Sequence, residues 1–345
     1  MRNRAKIALA SACIGAAAMA GLAVTSVQVG AQVGAQVQAA DPNSAPNPYR
    51  VVENWAKLPE GRPWGMAIGL AVDRDGSSLW VYDRCGAKSC ENSTIAPIQK
   101  FDPNGRLVVS FGSGLVNWPH GLFADRDGGV WVTDGHGGGG KGHTVIKFSP
   151  DGRVLKTLGK PGVAGNTDDT FNSPSAVLVA PNGDIFVADG HGDNTNARIV
   201  KFSPEGKFIT AWGSAGSGPG QFNTPHGLAM DSAGHLFVAD RSNNRIQIFD
   251  QNGKFIDEWR QFGRPSGVYI RDDILYVADS QSGDKVNAPF RQGIRIGSVK
   301  DGKVTAFIAQ TDPKEEMPEG VAVDKDGNVF GGFTANMNVK KFVRN

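Results

Sequence analysis

Three side chains with metal-binding chemistry stand at the same place in a recurring phrase. His120 opens "HGLFAD" after Pro119, His226 opens "HGLAMD" after Pro225, and Glu319 opens "EGVAVD" after Pro318. Two imidazoles and a carboxylate suit Zn²⁺, whose catalytic sites leave one position open for water or substrate. The same set in a facial arrangement also holds Fe²⁺. Three further copies of the phrase carry Ile68, Ser175 and Ser266 at that position. The expectation is therefore one divalent metal, with zinc as the first assignment, held by His120, His226 and Glu319. The plainer alternative is that these polar side chains only hydrogen-bond backbone in a wet channel.

Around each phrase the chain repeats a larger unit. A turn such as "DRDGG", "APNGD" or "DSAGH" follows it, then an alternating apolar strand such as "LWVYD", "VWVTD" or "IFVAD". Two more strands complete the unit, as in "ARIVKFSPEG" and "KFITAWG". Asp-Gly and Asn-Gly pairs between period-two apolar runs are hairpin chemistry. The six phrase positions lie 52, 55, 51, 40 and 53 residues apart. Four strands at such a period describe a propeller blade, and six copies describe an all-β, six-bladed β-propeller. The last copy ends at "NVKKFVRN" without a fourth strand. The stretch "PYRVVENWAKL" is expected to supply it and close the ring. The innermost strand of each blade lines the central channel, so alternate blades bring His120, His226 and Glu319 to the axis about 120° apart.

The first 40 residues read differently. "MRNRAK" precedes an Ala-rich apolar run over residues 7–24 and small-residue cleavage sites, the layout of an export signal. The expected organisation is a signal peptide over residues 1–40, a Pro/Asn linker over 41–48 and the propeller over 49–345. An uncleaved membrane anchor is disfavoured, because the run is built of Ala and Gly. Removing Arg2, Arg4 and Lys6 leaves 33 basic side chains against 34 acidic ones, so nothing suggests a nucleic-acid surface. Cys85 and Cys90, five residues apart in "DRCGAKSCENS", are expected to form a local disulfide in an oxidising compartment. The mature protein is read as an exported monomer, periplasmic or extracellular, without stable membrane insertion.

The blade sequences resemble NHL repeats over residues 60–345, a resemblance that also implies six blades. "NWPHGLFADRDGGVWVTD", "VADGHGDNTNARIVKFSPEGKFITAWG" and "GPGQFNTPHGLAMDSAGHLFVADRSNNRIQIFD" are similar to the peptidyl-α-hydroxyglycine α-amidating lyases. That family implies an axial zinc and cleavage of an α-hydroxyglycine to an amide and glyoxylate. Its first two zinc histidines match His120 and His226, and its two catalytic arginines match Arg84 in "VYDRCG" and Arg241 in "VADRSN". The third zinc histidine falls on Glu319. A calcium ligand of the family falls on Gly320, which offers no side chain. The active-site tyrosine falls on His191, which as an imidazole can serve as general base.

In "DGHGGGGKGH", His136 follows "TDG" as His191 follows "ADG", which makes it a candidate for binding a small-molecule or peptide substrate. The same loop is no phosphate loop, because Gly142 stands where Ser or Thr is needed and a strand follows. His235 in its turn reads as a surface residue. Trp131, Phe148, Phe186, Phe202 and Phe237 read as blade core. Two other functions stay open: a non-catalytic NHL scaffold for protein, peptide or glycan, and another metal-dependent enzyme such as a lactone hydrolase.

Overall fold

The computed structural model describes residues 41–310 and 317–345. The expected export signal lies outside the described residues. Among the described residues, six four-stranded antiparallel sheets each run from an innermost strand outward. The innermost strands are Ala67–Val72, Pro119–Ala124, Pro174–Val179, Pro225–Met230, Pro265–Arg271 and Pro318–Val323. Each contacts the next, and the sixth contacts the first, so the sheets close a ring. In the last blade, Tyr49–Val52 pairs antiparallel with Asn338–Arg344 in the register Tyr49↔Arg344 to Val52↔Lys341, which is the closure the sequence pattern implied. Closure leaves no broken blade edge at the seam.

The second strand of every blade is apolar on both faces because each face meets a different neighbour. Leu79–Asp83, Val130–Asp134, Ile185–Asp189 and Leu236–Asp240 are buried throughout. Among the described residues six hydrophobic clusters result, each shared by two adjacent blades. One joins Phe186, Ala188 and Ile199 to Leu228, Val238 and Phe249, and another joins Trp131, Val145 and Leu158 to Val187, Val200 and Phe202. Trp131, Phe148, Phe186, Phe202 and Phe237 all lie in such clusters.

In the first five blades the aspartate ending the second strand ties the blade to the turn that leads into its inner strand, whereas the sixth ends in Phe333. Asp83 accepts from the Gly65 N–H, Asp189 from Asn172, Asp240 from Asn223 and Asp279 from Arg264. An arginine neutralises each of these four: Arg62, Arg198, Arg245 and Arg295. Asp134 accepts from the Asn117 and Trp118 N–H groups. However, Thr144 stands opposite it in the register where Arg198 and Arg245 stand in blades three and four. Burial therefore pushes the Asp134 carboxyl up to about 6.

This difference sets a stability prediction. Asp240→Asn leaves Arg245, only 1% exposed at its side chain, with Glu258 as its one remaining carboxylate partner among the described residues and should cost about 3 kcal/mol. Asp134→Asn removes a buried charge that lacks an arginine and should cost about 1 kcal/mol, the worth of one impaired hydrogen bond. Urea denaturation at pH 7 measures both, and equal losses would contradict the account.

Candidate active site at the propeller axis

Each inner strand carries a register shift where it meets its partner strand, and the shift falls on the phrase position. It lies between Pro119 and Leu122, Pro225 and Gly227, and Pro318 and Gly320, with equivalents in the other three blades. A bulge leaves one residue out of the ladder and re-aims its side chain. In every blade but the third, where Ala176 follows, the next residue is a glycine that allows close approach of the next blade. A Cβ added to Gly121 would lie 2.6 Å from the Ser175 carbonyl oxygen, and one added to Gly227 would lie 2.6 Å from that of Ser266.

Those two carbonyls orient the histidines. His120 Nδ1 donates to Ser175 O at 2.6 Å, and His226 Nδ1 donates to Ser266 O at 3.0 Å. A carbonyl can only accept, so Nδ1 carries the proton and Nε2 keeps its lone pair. Ser175 is itself fixed by its Oγ donating to Pro225 O at 2.5 Å, and Ser266 by its Oγ against Ser280 Oγ at 2.6 Å. The odd-numbered blades thus hold the rings that the even-numbered blades present.

His191, from the loop after strand Ile185–Asp189, joins this pair. Donor atoms of His120, His191 and His226 lie within 4.8 Å of one another, a spacing that fits a shared metal ion. His120 Nε2 is buried with no hydrogen-bond partner. Glu319 Oε1 lies 3.0 Å from His226 Nε2, and two acceptors so close repel unless a cation faces both. Arg241 Nη1 does so, 2.8 Å from His226 Nε2 and 3.3 Å from Glu319 Oε1, while its Nη2 lies 3.3 Å from His191 Nε2. The donor set fits a divalent cation, with neutral imidazoles as ligands. Burial holds all three histidines well below the ordinary imidazole value, and positive neighbours push the same way.

Arg84 lies over Trp118, its guanidinium carbon 3.7 Å from the ring centroid, and its Nε donates to Pro119 O at 3.1 Å. Burial lowers it to about 10, with Glu319 opposing. His136 stacks on Trp118 with centroids 3.8 Å apart. Cys85 and Cys90 are disulfide-bonded beside Arg84, and the Cys90 N–H donates to Asn117 O next to Trp118. Below the histidines a cavity of about 1310 Å³ runs along the six inner strands, walled by residues such as Leu70, Leu122, Leu178 and Leu228.

The structure thus gathers His120, His226, Glu319, Arg84, Arg241, His191 and His136 into one neighbourhood. His191 stands among the metal-spaced donors, whereas Glu319 pairs with Arg241. His143 stays outside, its Nδ1 accepting from the Ser173 N–H, and His235 pairs with Asp231 in a surface turn. Gly320 packs against the Ile68 carbonyl and supplies no ligand for calcium. Trp118 is a wall residue that the sequence pattern did not single out. Its signal was positional, two residues before His120 in the repeat.

Residues 222–249 match the NHL repeat family. The chain is 34% identical over 308 residues to peptidyl-glycine alpha-amidating monooxygenase B of Xenopus laevis, covering 81% of this chain and 34% of that protein. It is 34% identical over 198 residues to the human NHL repeat-containing protein 3, covering 56% and 54% respectively. It is 36% identical over 197 residues to a probable peptidyl-alpha-hydroxyglycine alpha-amidating lyase of Caenorhabditis elegans, covering 51% and 53%. The chain spans about half the length of the last two relatives and a third of the first. Among solved structures, a gluconolactonase from Xanthomonas campestris superposes with a TM-score of 0.58 at 15% identity, covering 90% of this chain and 99% of that one. A streptogramin B lyase does so at 0.54 and 17%, covering 86% and 98%. At such identity the likeness is one of fold.

The depressed histidines set the pH dependence of the metal-free protein. Below about pH 6.5 the unfolded chain protonates three imidazoles that stay neutral when folded, so stability falls as pH drops. Asp134, near 6, takes up a proton in the folded state and offsets one of them. Thermal melts of chelator-treated protein should show Tm falling from pH 7 to 5. A flat or rising profile would mean the imidazoles are charged in the fold.

Proposed function

We propose, from an NHL-repeat six-bladed propeller related to the amidating-lyase proteins, that this chain is a metal-dependent carbon–nitrogen lyase acting on an α-hydroxyglycine-type substrate. The observation that carries this is the axial convergence of three neutral histidines with two buried arginines. His120, His191 and His226 would hold the ion, and an all-imidazole set favours zinc over calcium, which takes oxygen ligands.

The reaction needs no co-reactant. The hydroxyl proton leaves, its electron pair forms the aldehyde C=O, and the C–N bond breaks with its pair going to nitrogen, which takes up a proton. The products are an amide and glyoxylate. Arg84 and Arg241 bind the substrate carboxylate and orient it, since guanidinium pairs with carboxylates in planar, charge-assisted fashion. Glu319, 3.0 Å from His226 Nε2 and within 3.3 Å of Arg241 Nη1, would take the hydroxyl proton and return it to the departing nitrogen. Trp118 and His136 form the wall against which the acyl side of the substrate packs. A bound divalent ion supplies Lewis-acid stabilisation of charge developing on the substrate oxygen.

The disulfide supports placing the protein in an exported, oxidising compartment. It would work there as a monomer on a small or peptide substrate. Among the described residues no helix is long and apolar enough to cross a membrane. The alternative of a non-catalytic binding propeller draws on the similarity to NHL repeat-containing protein 3, whose name carries no reaction. The lactone-hydrolase alternative has likeness of fold alone.

Zinc-loaded protein given α-hydroxyhippurate should release glyoxylate and the matching amide. Arg241→Ala should lower kcat/KM roughly 10²-fold, as loss of a charge-stabilising donor does. Glu319→Gln should keep the metal and lose roughly 10²-fold in kcat, whereas His191→Gln should lose metal. The opposite pattern would make Glu319 the ligand and His191 the base. No glyoxylate between pH 5 and 9 would overturn the lyase reading in favour of the binding propeller.

A further inference from the structure

The repeat holds a second position worth reading around the ring. Two residues before each axial side chain stand Met66, Trp118, Ser173, Thr224, Arg264 and Met317. Trp118 belongs to the second blade and Arg264 to the fifth, which face each other across a six-fold axis. The aromatic wall of the mouth is therefore opposed by a guanidinium.

Arg264 is held in place by neutral groups. Its Nε donates to Gln281 Oε1 at 2.8 Å, its Nη1 to Asn244 Oδ1 at 3.0 Å and its Nη2 to Ser242 Oγ at 3.2 Å. Ser242 lies within the short turn Arg241–Asn243 that carries Arg241, and Asn244 directly follows it. The carboxylate nearest to it electrostatically, Asp279, is occupied by the Arg295 guanidinium at 3.2 Å. Five N–H donors sit on a guanidinium, so two remain beyond the three contacts. The half-buried cation is fixed in direction and lacks a paired anion among the described residues. Its field reaches the centre, where it disfavours charge on His226 and Arg241.

We propose that Arg264 is a specificity residue that binds a second anionic group of the substrate, on the acyl side and away from the carboxylate held by Arg84 and Arg241. The preferred substrate class is then an α-hydroxyglycine whose neighbouring residue carries a carboxylate. This rests on the lyase reading above. A surface carboxylate gains little from one exposed lysine, whereas a preset, partly desolvated guanidinium fork offers a charge-assisted pair.

The test uses unreactive glycine-ended peptides, acetyl-Glu-Gly and acetyl-Gln-Gly, titrated calorimetrically into zinc-loaded protein. The wild type should bind the acidic peptide about 10-fold more tightly, with the ratio shrinking as salt rises. In Arg264→Gln the ratio should fall to about one, and in Arg264→Lys it should stay above that of Arg264→Gln. Arg241→Lys should weaken both peptides and leave the wild-type ratio. A ratio near one in the wild type, or one that survives Arg264→Gln, overturns the assignment of Arg264 alone. Failure of both peptides to bind the wild type overturns the lyase reading, and this subsite with it.

Discussion

Everything at the axis depends on how closely the inner strands approach one another. The bulge at each phrase position turns one side chain out of the ladder, and after His120 and His226 a glycine removes the Cβ that would collide with the next blade's carbonyl. Only then can His120 and His226 reach Ser175 O and Ser266 O through Nδ1. That pair of bonds fixes which nitrogen carries the proton and so keeps a lone pair on Nε2, unpartnered at His120 and facing Arg241 at His226. Backbone geometry, rather than a further layer of polar side chains, performs the orientation.

The site is also an electrostatic arrangement with one dominant sign. Arg84, Arg241 and Arg264 act on the histidines, and Glu319 is the carboxylate that opposes them. Burial keeps the imidazoles neutral, so positive charge stays on the guanidinium groups, where it can meet an anion. In the proposed lyase reaction such a centre would favour a substrate that arrives with a carboxylate and develops further negative charge as it reacts. The blade cores contribute the rigidity: each hydrophobic cluster is shared by two blades, so no blade can shift its axial residue without disturbing a neighbour.

Much of this was legible in the sequence because a repeat turns spacing into geometry. The blade count, the N-terminal closing strand and the alternation of His120, Ser175, His226, Ser266 and Glu319 all follow from one phrase and its period. What was less legible lies outside the repeat columns or between blades. His191 comes from a loop, so its spacing gave no hint that it would meet the donor atoms of His120 and His226. The pairing of Glu319 with Arg241 joins blades six and four, and no local pattern signals it. The special status of Asp134 could have been read from Thr144, which replaces the arginine at that column. Trp118 and Arg264 likewise shared a column that draws attention only once the mouth of the ring is seen.

The central claim is that the axial imidazoles hold one metal ion. Its most direct test is the metal content of purified wild type measured beside the His120→Ala/His226→Ala double variant. The account predicts about one divalent ion per wild-type chain and none in the double variant, with the propeller fold retained in both. Stoichiometric metal that survives loss of both histidines, or a wild type that takes up no ion when zinc is supplied, would contradict it.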